Sequence, residues 1–318
     1  MKLRIGSRGS QLALWQANHI AGLLRGQGHS VEIEIIKTTG DRLQEVAFAQ
    51  VGSKGMFTKE IEEALAAGRV DLAVHSLKDL PTGLPEPFAL AATPKRVDPR
   101  DAFVSVKYAN LKALPLGARV GTSSQRRRAQ LKALRPDIEA VEFRGNVETR
   151  LRKLAEGQVD AILLAAAGLD RLDKTEWVRE RLEPKDFCPA AGQGALGIET
   201  RKDDAATIAA VEVLDDAATR FAVTVERAAL AALGGGCQVP IGILCRPWLH
   251  EDSDADGALW DEFFAVVAAP ETGKSVRIFH MALHVGADAA AVGRQVAKKL
   301  IEAGAGPLLA AAAGGGSR

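Results

Sequence analysis

The sequence predicts an α/β chain of two related domains followed by a smaller α+β domain, and three observations carry that reading. A strand, a small-residue turn and an amphipathic helix recur, as KLRIGSRGSQLALWQANHIAGLL at 2–24 and ALPLGARVGTSSQRRRAQLKAL at 113–134. The wording repeats more closely in ALAAGRVDLAV at 64–74 and KLAEGQVDAIL at 153–163, each closing a helix on Gly and entering a strand through Val-Asp. Beyond Thr219 the texture changes to one helix, three strand candidates and a covering helix.

Residues 2–5 open as a strand, GSRGS turns the chain, and QLALWQANHIAGLLRG sets Leu12, Trp15, His19 and Leu23 at helical spacing. VEIEIIKTTGD alternates Val31, Ile33 and Ile35 as a second strand; after VGSKG a helix runs through FTKEIEEALAAG. RVDLAVHS is a core strand whose end carries Ser76, Lys78 and Asp79 just before Pro81, so these side chains belong to a strand-end loop. Ligands of such domains sit at the carboxyl ends of parallel strands, where helix amino termini offer N–H groups to anions. After the helix FAVTVERAALAALGG, the runs VPIGILCRPWL, LWDEFFAVVAAP and SVRIFHMALHV predict a small antiparallel sheet covered by AAAVGRQVAKKLIEAG. The closing AAAAGGGSR offers little to bury and reads as a frayed tail.

Composition narrows the functional classes. With 318 residues, 47% hydrophobic and 25% charged, the chain has material for substantial cores, and 41 Lys and Arg against 40 Asp and Glu leave a formal charge of +1. A whole-chain attraction to nucleic acid or anionic membrane is therefore not expected, and any affinity for anions must be local. The cysteines Cys188, Cys237 and Cys245 match neither a zinc ribbon nor a dense disulfide scaffold, which suits a reducing compartment. No signal peptide or membrane span is expected, since the apolar runs fall short of about 18 residues.

The arginines form the strongest local signal: Arg126, Arg127 and Arg128 follow GTSS at a helix start, and Arg144, Arg150 and Arg171 fall at later boundaries. Guanidinium forks grip carboxylates bidentately. By itself RRR fits an anion cleft, a solvated face or a nucleic-acid contact. Arg4, Arg8 and Ser10 stand near the analogous first turn, and Thr122, Ser123 and Ser124 add neutral donors. Asp79, amid Lys54, Lys78 and arginines, reads either as an acid that stabilises a cation and exchanges protons or as half of a structural ion pair. Cys237 in LGGGCQVP fits an exposed thiol or a small buried side chain equally. DSDADG at 252–257 starts like a calcium loop but has Phe263 where the bidentate Glu belongs, and His19, His75, His280 and His284 join no ligand set.

Taken together, RIGSRGSQLALWQA, VGSKGMFTKEIE, AVHSLKDLP, DPRDAFVS, VGTSSQRRRAQL, FRGNVETRL, PAAGQG and GGGCQVPIG, in this order, strongly resemble the porphobilinogen deaminase (hydroxymethylbilane synthase) family over nearly the whole chain. The resemblance implies a transferase of tetrapyrrole and haem biosynthesis that condenses four porphobilinogen molecules, releases ammonia at each step and frees linear 1-hydroxymethylbilane by hydrolysis. It implies a dipyrromethane cofactor bound covalently through Cys237, with Asp79 as the central carboxylate and Lys78 beside it. Arg4, Arg8, Arg126, Arg127, Arg144, Arg150 and Arg171 would bind acetate and propionate groups, supported by Ser10, Lys54, Ser76, Thr122 and Ser124; Asp41 lies in the matching TGD loop. Arg128 has no comparable role, and Gly9 and Ser53 are mild departures from the family pattern. The implied fold has two periplasmic-binding-protein-like domains with mixed sheets, at 1–95 with 194–213 and at 99–189, plus a cofactor-bearing domain at 216–310 and a flexible tail at 311–318. The chain would return to the first domain near PAAGQGALGIE. No metal, nucleic acid or membrane partner is implied, and the expected form is a cytoplasmic monomer.

Overall fold

The computed structural model describes residues 1–38, 58–235, 239–247, 260–283 and 288–314. β1 (Lys2–Ser7) buries Leu3 and Ile5 and leads to Ser10, whose hydroxyl accepts the Ala13 N–H at 3.3 Å and so caps α1 (Gln11–Gly26). The α1 face of Ala17, Ile20, Ala21 and Leu24 packs on the sheet with Leu3, Ile5 and Leu72. β2 (Ser30–Ile35), α2 (Lys59–Ala66), β3 (Leu72–Ser76), a 3₁₀ turn at Leu77–Asp79 and β4 (Phe88–Ala92) follow.

The second unit repeats this order. β5 (Asp101–Val104) precedes β6 (Arg119–Gly121), α3 (Gln125–Leu134), β7 (Glu139–Val141), α4 (Val147–Ala155), β8 (Ala161–Ala165), α5 (Ala166–Arg171) and β9 (Val178–Leu182). β10 (Leu196–Arg201) then rejoins the first sheet, followed by α6 (Ala205–Glu212). The first sheet has the order β2-β1-β3-β10-β4 and the second β7-β6-β8-β5-β9. In each, four strands run the same way and one, β10 or β5, runs against them between its two neighbours, the mixed sheets the sequence predicts.

The repeated wording is a repeated structure. Gly68 and Gly157 end their helices in the left-handed region, with φ of 66° and 76°. Asp71 then accepts the Arg4 N–H and Asp160 the Arg119 N–H, both at 2.8 Å, tying each crossover to the parallel neighbour strand, β1 or β6.

α7 (Ala217–Ala232) carries the third unit: β11 (Ile241–Pro247), β12 (Trp260–Ala268) and β13 (Ser275–Leu283) form an antiparallel sheet, with α8 (Ala289–Leu300) beside α7 over one face. Past a kink at Gly304, α9 (Gly306–Gly314) runs into the segment expected to be a tail from residue 311. The alanines favour helix, and Leu308 and Leu309 anchor it to the core under α7 and α8.

Two apolar seams join the units. Leu77 and Leu80, flanking Asp79, meet Ala195 and Val223 of α7. Leu77 is fully buried, worth roughly 1.5–3 kcal/mol for a side chain of its size. Ala129 and Cys188 meet Leu244, Phe264, Val266 and Ala268 on the opposite side.

Candidate active site

The first sheet delivers its polar residues at the carboxyl ends of β1 and β3. Arg8 and Ser10 follow β1, and Ser76 closes β3, where its hydroxyl accepts the Gln16 amide at 2.7 Å. Asp79 is exposed at the end of the 3₁₀ turn, held there by the buried Leu77 and Leu80 on either side. Lys78 keeps some solvent contact, yet the groups around its ammonium desolvate it and push it down to about 8, against the pull of Asp79 and Asp101. Its Nζ lies 3.5 Å from Gln193 Oε1.

The second sheet answers with cations. Thr122 and Ser124 follow β6; the Thr122 hydroxyl accepts the Ser124 N–H at 3.2 Å and the Ser124 hydroxyl the Arg127 N–H at 3.4 Å, which starts α3. A hydroxyl that accepts at its oxygen still has a hydrogen to donate. Arg126 and Arg127 turn inward, each forked onto Asp101 with shortest contacts of 2.7 Å, and Gln193 donates to the same carboxylate at 3.0 Å. Burial alone would raise the Asp101 carboxyl, but the two guanidiniums hold it well below the usual range. Around Lys78 three cations, Lys78, Arg126 and Arg127, face two carboxylates, Asp79 and Asp101. The cluster is net positive.

Asn146 caps α4, which carries Arg150. Burial pushes the Arg150 guanidinium down to about 10, and the charges acting on it are Arg127, Glu142, Arg144 and Asp79. Its Nε is buried with no acceptor among the described residues. Arg144 donates to Glu142 at 2.7 Å. Arg171 donates to the Gly194 carbonyl at 2.7 Å and lies 5.9 Å from the Trp15 ring centroid, and burial lowers it to about 10. Trp15 stacks in turn on His19, so this seam ties α1 to α5. Asp79 of the first unit thus shares one field with Arg127 and Arg150 of the second.

Several sequence expectations need correction. Arg4 is not in this cluster: it sits three residues before the carboxyl end of β1 and is forked onto Asp71 at 2.7 and 3.1 Å. A strand advances about 3.3 Å per residue, which leaves Arg4 far from the loops that carry Asp79. Arg126 and Arg127 are buried and paired with Asp101, a partner the sequence reading did not name. Arg128 reaches the Ala140 carbonyl at 2.8 Å, so RRR does not make a solvated basic face.

The sequence reading gave no role to Asp101 or Gln193, although both lie in quoted motifs, DPRDAFVS and PAAGQG. It also missed Glu226 of α7, whose buried carboxylate takes both Arg96 nitrogens, at 2.6 and 3.1 Å, and the N–H groups of Gly192 and Cys245. Arg227 beside it donates to the carbonyls of Leu80, Pro81 and Thr82, just past Asp79. The signal was two adjacent charges in the middle of a mostly apolar helix, AATRFAVTVERAALAA. Gly194, at φ 87°, lets the return strand pass Val97, whose carbonyl would lie 2.6 Å from a Cβ there.

Lys54, Asp41, Ser53, Cys237, His284 and the DSDADG turn lie outside the described residues. His75 pairs with Glu199 at 2.9 Å and His280 faces Phe263; no metal-ligand cluster occurs among the described residues. Cys188 and Cys245 are buried, and burial pushes the Cys188 thiol up to about 12. No described helix is long and apolar enough to cross a membrane.

Residues 3–209 match the family model for the porphobilinogen deaminase dipyromethane cofactor binding domain, and residues 220–302 that for the porphobilinogen deaminase C-terminal domain. The porphobilinogen deaminase of Nitratidesulfovibrio vulgaris (strain DSM 19637 / Miyazaki F) is 47% identical over 99% of this chain and 98% of its own. That of Trichlorobacter lovleyi is 49% identical over 97% and 96%. Among solved structures, the methionine-binding protein MetQ aligns at 13% identity and a TM-score of 0.44, covering 67% of this chain and 89% of its own. With its two models matched in sequence along nearly the whole length, the chain belongs to the porphobilinogen deaminase family.

Proposed function

We propose that the chain is a hydroxymethylbilane synthase, a transferase that joins four porphobilinogen molecules with loss of ammonia and releases 1-hydroxymethylbilane by hydrolysis. The observation that carries this reading is an exposed carboxylate, Asp79, set in a net-positive cluster to which both sheets contribute. A pyrrole bearing acetate and propionate groups needs fixed cations for its carboxylates and one anion for its N–H. When ammonia leaves the substrate, the C–N electron pair departs with nitrogen and positive charge stays on the pyrrole. Asp79 is placed to hold that charge, and to take the proton released when the new C–C bond forms, where water alone would have to reorganise.

Arg8, Arg144, Arg150 and Arg171, with Lys54, Ser10, Ser76, Thr122 and Ser124, are the proposed carboxylate-binding set. Arg126 and Arg127 act through Asp101 as a buried positive base for that set, and Lys78 lies between them and Asp79. Dipyrromethane fits this donor set: its carboxylates would supply the acceptor that the buried Arg150 Nε lacks. When bound through Cys237 it supplies the pyrrole carbon from which the chain grows. Glu226 and Arg227, on the helix that leads to the Cys237 segment, support this placement by fastening α7 to Arg96, to Gly192 and to the loop after Asp79. We divide the chain at 1–95 with 194–213, 99–189 and 216–310, with α9 running on to Gly314, and place it in the cytoplasm as a monomer.

Intact-mass measurement of the purified protein tests the proposal. A two-pyrrole addition is expected on the wild type and none on Cys237→Ala; an active wild type of unmodified mass would overturn it.

A further inference from the structure

A cavity of about 280 Å³ opens on the side of the third sheet turned away from α7 and α8. Its walls include Lys185 and Cys188 from the segment after β9, Phe264 of β12, and Arg277 and Phe279 of β13. Cys188 separates it from the active cluster: the Cys188 carbonyl accepts from Arg126 at 2.6 Å, while its thiol reaches the Phe264 carbonyl at 3.3 Å.

Arg277 is the anomaly. Its Nη2 is buried, and it makes no hydrogen bond or ion pair among the described residues. Burial weakens its hold on its proton; among the described residues that act on it through space, Asp186 is the one carboxylate, and that residue is exposed. Buried donors in native proteins almost always meet an acceptor. The apolar walls suit a ring rather than a cluster of waters: Phe264 and Phe279 sit 5.2 Å apart and tilted by 44°, and the Cys188 thiol is neutral. A cavity of roughly 150 Å³ already accepts benzene, so this one has room for a ring and a short acidic arm.

We propose that this cavity is a second ligand site, one that binds a small aromatic monocarboxylate with its ring against Phe264 and Phe279, its carboxylate on Arg277, and Lys185 at the mouth. Porphobilinogen itself is a poor occupant, because its aminomethyl cation would sit beside two others.

Titrating the holoenzyme with 3-phenylpropionate, followed by ligand-observed NMR or calorimetry, tests the assignment. Saturable binding is expected, weakened at least about tenfold in Arg277→Met and unchanged in Arg150→Met, with 3-phenylpropanamide binding the wild type at least about tenfold less tightly. Equal affinity for acid and amide, loss in Arg150→Met instead of Arg277→Met, or no saturation by about 10 mM would overturn it. Should Arg277→Met not fold, the acid–amide pair on the wild type decides alone.

Discussion

The two five-stranded sheets share strand order and direction, yet they divide the chemistry between them. Aligned on Val-Asp, VDLAVHSLKD at 70–79 runs beside VDAILLAAAG at 159–168, so Asp79 falls opposite Gly168, Lys78 opposite Ala167 and His75 opposite Leu164. The antiparallel neighbours differ in the opposite sense. Leu196 pairs with Ser76 in the first sheet, whereas Asp101 pairs with Ala165 in the second. The buried anion that collects Arg126 and Arg127 thus stands where the first sheet has leucine. Likewise Glu199, the partner of His75, stands where the second sheet has Val104. One architecture accommodates apolar and ionic choices at each of these positions, so the ionic choices answer to something other than the fold. In the proposed function the first unit supplies the reacting carboxylate, and the second supplies most of the arginines that hold carboxylates.

Making the second unit copy the first should do the most damage. In Asp101→Leu two buried guanidiniums lose their shared carboxylate, and breaking a buried ion pair costs about 3–5 kcal/mol. An unfolding free energy from urea titration lowered accordingly is expected; a value within about 1 kcal/mol of the wild type would mean that Arg126 and Arg127 find other partners and that the contrast with Leu196 is incidental.

Removing the charge that the second unit lacks should spare stability and remove turnover. Asp79 is exposed and Asn nearly preserves its size, so Asp79→Asn should fold like the wild type and keep the two-pyrrole mass addition. Turnover should fall about 10²–10³-fold, the loss typical of one well-placed electrostatic group. Steady-state assays with near-normal turnover would remove Asp79 from the chemistry.

Local patterns carried most of the architecture. The Val-Asp repeat, the two strand–turn–helix openings and the three strand candidates beyond Thr219 all depend on residues close in sequence, and the structure keeps each of them. What the residues alone did not show is long-range. The return of β10 to the first sheet pairs residues more than a hundred positions apart, and periodicity has no term for that; the family resemblance supplied it. The arginines were legible as a group but not by direction. Arg4 and Arg8 look alike in LRIGSRGS, yet Asp71, lying 67 residues away, claims the first. The partner of Arg126 and Arg127, Asp101, went unread because it lies in a strand whose sequence is otherwise apolar.

The smallest expected effect concerns Lys78, which has only Ala167 opposite it in the second unit. Because burial brings its ammonium down to about 8, Lys78 is charged below that pH and loses its charge as pH rises through it. The proposed anion-binding cluster then drops from three cations around Asp79 and Asp101 to two, and its excess of positive charge disappears. The apparent KM for porphobilinogen should therefore rise above pH 8, by about tenfold at most at pH 9, which is the range of one charge-assisted hydrogen bond. Arg keeps its proton throughout this range, so Lys78→Arg should flatten that alkaline limb of the KM profile even if its planar fork fits less well and lowers kcat. A limb that persists unchanged in Lys78→Arg would assign the titration to another group and leave Lys78 a spacer beside the one carboxylate that the second unit lacks.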